Sequence, residues 1–182
     1  RSGALGALCD CVANGVAAPE FQLRALDVLQ ALAHPQSGLV HPFPAIKVAR
    51  DVVSIVLQRA QGPGAEFAMQ DAVANELCAR PAAMAQLADL AAAGVSSGTA
   101  SLTSEAALKV LLQAAFASAA SNPSSNANGI SWNNGTSAFA ATFVRQPVFV
   151  ALWAALLRSR ATNATALLLV AALAPAVRAA VD

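Results

Sequence analysis

The sequence predicts an all-α fold, and three observations lead to that prediction. Alanine supplies 47 of the 182 residues, and it has the highest intrinsic helix propensity of the amino acids. Four of the nine prolines each follow the end of an apolar segment. The chain is 57 % hydrophobic and only 12 % charged, whereas a globular domain usually carries about 25 % charged residues. We therefore expect many of the helices to be buried against other chain.

The four prolines that follow apolar segments recur at similar distances along the chain. They are Pro35, Pro81, Pro123 and Pro175. The intervals between them are 46, 42 and 52 residues. Proline cannot continue a helix, but it fits the first turn of the next one. Each of these prolines therefore predicts a sharp corner between antiparallel helices, and together they predict repeat-like units over 36–81, 82–123 and 124–175.

Four helices are predicted in the first half of the chain. They span residues 19–33, 45–60, 65–79 and 82–93. In the first, Arg24, Asp27 and Gln30 form a polar stripe on an otherwise apolar helix, and the second shows the same two-faced pattern. The glycine-rich breaks "QGPG" and "GVSSGTAS" end the second and the fourth.

Three helices and no sheet are predicted in the second half. They span residues 102–120, 138–158 and 164–174. Glu105 suits the first turn of one helix, Arg158 suits the last turn of the next, and Asn163 suits the N-cap of the third. The segment "PVFVALWAALL" has no polar residue from 148 to 157. A helix that is apolar all round is buried on several sides, so we expect a core that contains Phe149, Leu152, Trp153 and Leu156.

An uncharged segment rich in asparagine and serine interrupts the second half. Residues 121–137 read "SNPSSNANGISWNNGTS", and such a composition cannot bury enough surface to fold alone. Long insertions in surface loops are tolerated because closure entropy grows slowly with length. We therefore predict a loop insertion over 124–137, which explains the longest proline interval. Trp132 either anchors this loop on its own helices or contacts a partner.

The segment "PVFVALWAALLRSRATNATALLLVAALAPAVRAAVD", residues 147–182, resembles the junction between consecutive armadillo repeats. "ALDVLQALAHP" and "VANELCARPAAMAQLADL" resemble the same junction. The resemblance implies an armadillo/HEAT-like α-solenoid segment of about three to four helical repeats over residues 1–182, as a piece of a longer polypeptide. HEAT-type two-helix units remain open, because the short first helix of the armadillo repeat is hard to find. The inner-helix asparagine with which some armadillo proteins hold a peptide has no clear counterpart.

Motifs that carry chemistry are scarce in this sequence. It contains no phosphate-binding loop, no dinucleotide fingerprint and no nucleophile elbow. The carboxylates are spread singly, His34 and His41 flank a loop, and "CDC" at 9–11 is weaker than any CxxC pair. We therefore expect no catalysis, no metal, no cofactor and no small-molecule substrate.

Charge is distributed unequally along the chain. Residues 1–105 carry nine acids and six bases, a net charge of −3, and residues 106–182 carry one acid and five bases, a net charge of +4. This excess favours an acidic partner. The candidate partner-binding residues are Trp132, Arg145, Arg158 and Arg160. The bases are not clustered with aromatic residues as in nucleic-acid readers, so nucleic acid is not the expected partner.

Membrane insertion and secretion are not expected. The most apolar stretches, 147–157 and 164–177, are shorter than the roughly 20 residues that span a bilayer. Three cysteines do not make a disulfide framework and favour a reducing compartment. The expected function is a non-catalytic protein–protein interaction or scaffold element that contacts other protein subunits of a larger assembly. We expect an intracellular location, either cytoplasmic or ciliary and cytoskeletal. The alternative is an organellar RNA-associated helical-repeat protein, which would need repeated polar codes in successive repeats.

Overall fold

The computed structural model describes six stretches of the chain: residues 3–15, 19–33, 65–97, 101–117, 137–160 and 163–181. Within these stretches the protein forms eight helices and no strand, so the predicted all-α class is confirmed. The helices are α1 (Ala4–Ala13), α2 (Pro19–Ala33), α3 (Ala65–Ala79), α4 (Pro81–Ser97), α5 (Leu102–Phe116), α6 (Ala138–Phe143), α7 (Phe149–Ser159) and α8 (Ala164–Val181).

Side-chain caps fix the starts of three helices. The Ser101 hydroxyl accepts a hydrogen bond from the Ser104 amide at 3.1 Å and begins α5. Ser137 caps α6 through the Ala140 amide at 3.0 Å. Asn163 Oδ1 accepts from the Ala166 amide at 3.0 Å and begins α8. Such caps satisfy amides that have no partner within the helix, and the predicted cap at Asn163 is confirmed.

Several predicted helices agree with the structure and others lie outside the described residues. The predictions over 19–33 and 65–79 match α2 and α3, and the predicted helix break at Pro81 is confirmed, because α3 ends at Ala79 and α4 begins at Pro81. Helix α1 was not predicted. The predicted helix over 45–60 and the corners at Pro35 and Pro123 lie outside the described residues.

The prediction of one helix over 138–158 is wrong. The chain forms α6 and α7 with a turn over 144–148 between them. The cause is Pro147, which has no amide hydrogen and whose ring clashes with the carbonyl four residues earlier, that of Phe143, where α6 ends. The turn is closed instead by hydrogen bonds from the Gln146 amide to the Phe143 carbonyl and from the Phe149 amide to the Gln146 carbonyl, both at 3.0 Å.

The predicted corner at Pro175 is also wrong, because α8 runs through this residue to Val181. The expected unit boundary at residue 175 therefore falls inside a helix. Leu173 and Ala176 on either side of the proline are both buried, whereas Pro175 itself is exposed. Packing on the core holds the last turns of the helix, although a proline in a helix interior costs about 3 kcal/mol.

The helices pack as pairs, and each pair packs on the next. Helices α1 and α2 contact each other, as do α4 and α5, and α7 and α8. Between pairs, α4 contacts both α1 and α7, and α5 contacts both α2 and α8. The helix that precedes the second pair, α3, contacts α6, which precedes the third. Corresponding members of the three pairs are therefore neighbours.

The core runs through all three pairs, and α5 is its centre. Nine of the fifteen residues of α5 are buried, and only the stripe that begins at Leu102 and Glu105 reaches the surface. Helices α4 and α5 approach so closely at Gly94 that a Cβ placed there would overlap the Cβ of Ser104. Four aromatic rings extend the core across the turn before α7, with centroid separations of 5.4 to 5.5 Å. They belong to Phe139, Phe143, Phe149 and Trp153.

Hydrogen bonds from two glutamine side chains connect neighbouring helices. The buried Gln22 amide donates to the Val12 carbonyl at 3.0 Å and joins α2 to α1. Gln70 Nε2 donates to the Gln113 carbonyl at 2.8 Å and joins α3 to α5. The first bond lies within the pair α1 and α2, and the second joins α3 to the pair that follows it. Losing either partner is destabilising, because a buried polar group is then left unsatisfied.

Candidate protein interface

The exposed sides of α7 and α8 are unusual in being apolar. Seven large hydrophobic side chains are exposed in the described part of the chain, and five of them belong to these two helices. They are Val150, Leu157, Leu167, Leu168 and Val181. Isolated exposed apolar residues are ordinary on a protein surface, but apolar residues that cluster on one surface mark an interaction site.

One side of α8 is buried and the opposite side is exposed, but both sides are apolar. Its exposed stripe repeats every three or four residues and consists of Ala164, Leu167, Leu168, Ala171, Ala174 and Arg178. The opposite stripe, Ala166, Leu169, Leu173 and Ala176, is buried in the core. Helices on a protein surface normally place polar residues on the side opposite the core. The outer stripe of α8 has one charge, at its C-terminal end.

Helix α7 repeats this arrangement. Its buried stripe holds Phe149, Leu152, Ala155 and Leu156. Its exposed stripe holds Val150, Ala151, Ala154, Leu157 and Arg158. We call the two exposed stripes together the α7–α8 surface. The prediction that this helix is buried on several sides is wrong for the described residues, since the Val150 side chain is 72 % exposed. Trp153, expected in the core, is partly buried and stacks on Phe149.

The predicted partner-binding arginines lie around this surface. Arg158 is in the last turn of α7, and Arg160 caps the C-terminal end of that helix. Arg145 lies in the turn before α7, at the opposite end of a helix about 16 Å long by its 11 residues. All three are exposed. Arg158 and Arg160 therefore lie at the C-terminal end of α7 and Arg145 lies before its N-terminal end. Side chains two residues apart in a helix do not face each other, so the shared helix end does not make Arg158 and Arg160 one site. Trp132 lies outside the described residues.

One further arginine, Arg178, was missed by the sequence reasoning. It is exposed in the last turn of α8, on the same stripe as Leu167 and Ala171. The arginines at 145, 158, 160 and 178 make no ion pair with any described residue, and no acid occurs between residues 106 and 181. The spacing of Arg178 from Leu167 and Ala171, eleven and seven residues, was a signal in the sequence that could have placed it on their stripe.

The hydropathy of α8 also raises the question of a membrane. Among the described helices, α8 alone is long and apolar enough to cross a bilayer, with 18 residues, a mean hydropathy of 2.0 and 22 % of the residues buried. Core helices of soluble proteins meet the same criterion, so one such helix carries little weight. The absence of a membrane span stays a prediction.

A cluster of ionisable groups where α1 and α3 meet the start of α4 has a different character. Arg80 forms ion pairs with Asp10 of α1 and, at 2.7 Å, with Glu76 of α3. Burial, and then the Glu76 carboxylate, raises the pKa of the adjacent Cys9 thiol to about 11. A thiol with that pKa stays protonated at neutral pH and is a poor nucleophile. The cluster therefore joins helices and offers no activated group.

A small cavity lies where α5 and α8 begin beside the end of α4. Its volume is about 190 Å³, and it is lined by Gly94, Ser104, Glu105, Leu108, Asn163 and Thr165. Its polar groups already have partners: the Ser104 hydroxyl bonds to Ser101 at 2.8 Å, and Glu105 pairs with Lys109 at 2.6 Å. Within the described residues no group of three histidine, cysteine or acidic side chains could hold a metal ion.

The comparisons with known proteins add no family to this description. The chain matches no protein-family model, no curated protein and no solved structure. The function must therefore be argued from the α7–α8 surface and the packing of the helices.

Proposed function

We propose that this protein is a non-catalytic protein–protein interaction or scaffold element, built as an α-solenoid segment of armadillo/HEAT type. The packing of corresponding helices supports the solenoid. Helices α1, α4 and α7 follow one another, and α2, α5 and α8 do the same. In solenoids each repeat contacts its neighbours and buries a continuous core by stacking.

The position of α6 favours the armadillo type over the HEAT type. Helix α6 has six residues and precedes the pair α7 and α8, as a short first helix does in an armadillo repeat. It contacts α3, which precedes the pair α4 and α5. On this proposal α3 to α5 and α6 to α8 are successive three-helix units, and α1 with α2 belongs to the unit before them.

The observation that carries the interaction role is the α7–α8 surface. Leu167 and Leu168 of α8 are each 51 % exposed. A helix that faces solvent normally places polar residues at such positions. Arginines without described partners lie at its ends. We propose that other protein subunits of a larger intracellular assembly, cytoplasmic or ciliary and cytoskeletal, cover this surface.

Sedimentation of the full chain from its native cells tests this proposal. The tagged chain should sediment with a large complex that survives ribonuclease and 0.5 M salt, because apolar contacts are not screened by salt. A chain that sediments as a monomer contradicts the scaffold role. A complex that dissociates on ribonuclease treatment, or progressively as the salt concentration is raised, supports the alternative of an RNA-associated protein.

A further inference from the structure

The inference concerns what covers the α7–α8 surface, and it rests on the proposed interaction role. We propose that the surface binds a helical segment of another protein that has an apolar stripe flanked by aspartate or glutamate. The binding elements are the leucines Leu167 and Leu168, with Arg158 and Arg178 at the rim. The packing, the charge and the shape of the surface each favour this occupant.

Packing is continuous from one helix pair to the next. The sides of α4 and α5 that face away from α1 and α2 are covered by the helices α7 and α8. The side of α8 opposite its buried stripe has the same apolar character as a covered side, from Leu167 and Leu168 to Ala174. A surface of this kind is completed by a further helix, which can bury its own apolar stripe there.

The charge of the α7–α8 surface favours an acidic partner. The only charged side chains on the α7–α8 surface are Arg158 and Arg178, and Arg160 lies beside it. No acid occurs from residue 106 to residue 181 that could pair with them. In a two-fold dimer the same patch meets itself, so a second copy would offer these arginines no acidic partner on this surface. An acidic helix instead supplies the complementary charge, which fixes partner and register.

The shape of the α7–α8 surface favours a helix over a lipid surface as the occupant. Alanines at 151, 154, 164, 171 and 174 occupy much of the two exposed stripes. Small side chains let another helix approach closely. Helices that lie on membranes instead carry aromatic anchors and many basic residues beside a polar face. The α7–α8 surface has no exposed aromatic residue and no lysine, and the other side of α8 is buried in the core.

Site-specific photo-crosslinking of the full chain in its native cells tests the occupant. A benzophenone side chain replaces Leu168, and in a matched control it replaces Phe21, which is 70 % exposed on α2, a helix that packs on α1 and α5. The adduct at position 168 should contain a peptide from another protein, with apolar residues at helical spacing and an excess of aspartate and glutamate. The adduct at position 21 should lack that peptide. An adduct with lipid, with a second copy or with a segment that has no acidic excess overturns the proposal, as does the absence of any adduct.

Charge reversal then tests the rim directly. Arg158→Glu with Arg178→Glu should lower the yield of the adduct at 168 about tenfold, since two attractions become repulsions. Replacing the acids of the identified peptide by lysine should restore the yield. An unchanged yield overturns the charged rim. If the chain stays in its large complex while position 168 yields no protein adduct, only this inference fails. If it sediments as a monomer, the proposed function fails too.

Discussion

Gly94 of α4 lies directly against Ser104 of α5, with no room for a Cβ between the two helices. Alanine is ordinarily the better residue inside a helix, by roughly 0.5–1 kcal/mol. Here the nearest atom is the Cβ of Ser104, which is attached to a helix backbone and cannot swing aside. The glycine therefore sets the distance between the two central helices.

We expect Gly94→Ala to destabilise the protein by about 1–3 kcal/mol, which is the usual range for overpacking a core. Thermal denaturation of the purified chain measures it. The double variant with Ser104→Gly should recover part of the loss, because the second change opens the space that the first one fills. A higher melting temperature for Gly94→Ala would show that helix propensity outweighs the contact.

The division of α7 into a buried and an exposed stripe gives a second prediction. Phe149 is 6 % exposed and contacts two aromatic rings, whereas its neighbour Val150 is 72 % exposed. Phe149→Ala should lower the free energy of unfolding by about 3–5 kcal/mol, and Val150→Ala should change it by less than about 0.5 kcal/mol. Denaturant titration compares the two. Equal losses would mean that both stripes are covered in the isolated chain.

Pro175 inside α8 gives a prediction of opposite sign. Pro175→Ala restores the amide that can donate to the Ala171 carbonyl, and the residue is exposed, so no packing is lost. The variant should be more stable by about 1–2 kcal/mol, which is less than the full helix penalty because proline also restricts the unfolded chain. Ala174→Gly is the matched control and should destabilise. A loss of stability in Pro175→Ala would restore the corner that the sequence predicts.

The buried Cys9 thiol predicts a dependence of stability on alkaline pH. Burial, with the Glu76 carboxylate second, raises its pKa in the folded protein to about 11 from its ordinary value of 9.0. Between these values the unfolded chain has lost a proton that the folded chain keeps, so stability is full below pH 9 and falls as the pH rises to 11. We expect a loss of up to about 2 kcal/mol over this window.

Cys9→Ala should remove most of that slope, whatever its effect on stability at pH 7. Cys11→Ala is the control, because Cys11 is exposed and lies two residues further along α1. This variant should leave the slope in place. Denaturant titrations at pH 8, 9, 10 and 11 give the comparison. Identical slopes in the two variants would show that other groups set the alkaline limit.

The sequence by itself determined the elements whose causes are local. The cap at Asn163 and the helix break at Pro81 depend on neighbours within one turn of helix, and the structure has both. Even the break at Pro147, which the prediction overlooked, has a local cause. The predicted arginines Arg158 and Arg160 are at the same end of α7, as their closeness in sequence requires.

Only the tertiary structure decided which side of each helix is covered. In α8, Leu167 and Leu168 are exposed while Leu169 and Leu173 are buried, and the sequence gives these four leucines no distinguishing neighbours. Amphipathic patterns reveal a buried face only when the other face is polar, and here both faces are apolar. Arg178 was missed for that reason. Pro175 stays within a helix because buried neighbours on α5 and α6 hold the chain on both sides of it, an effect that acts between helices distant in sequence.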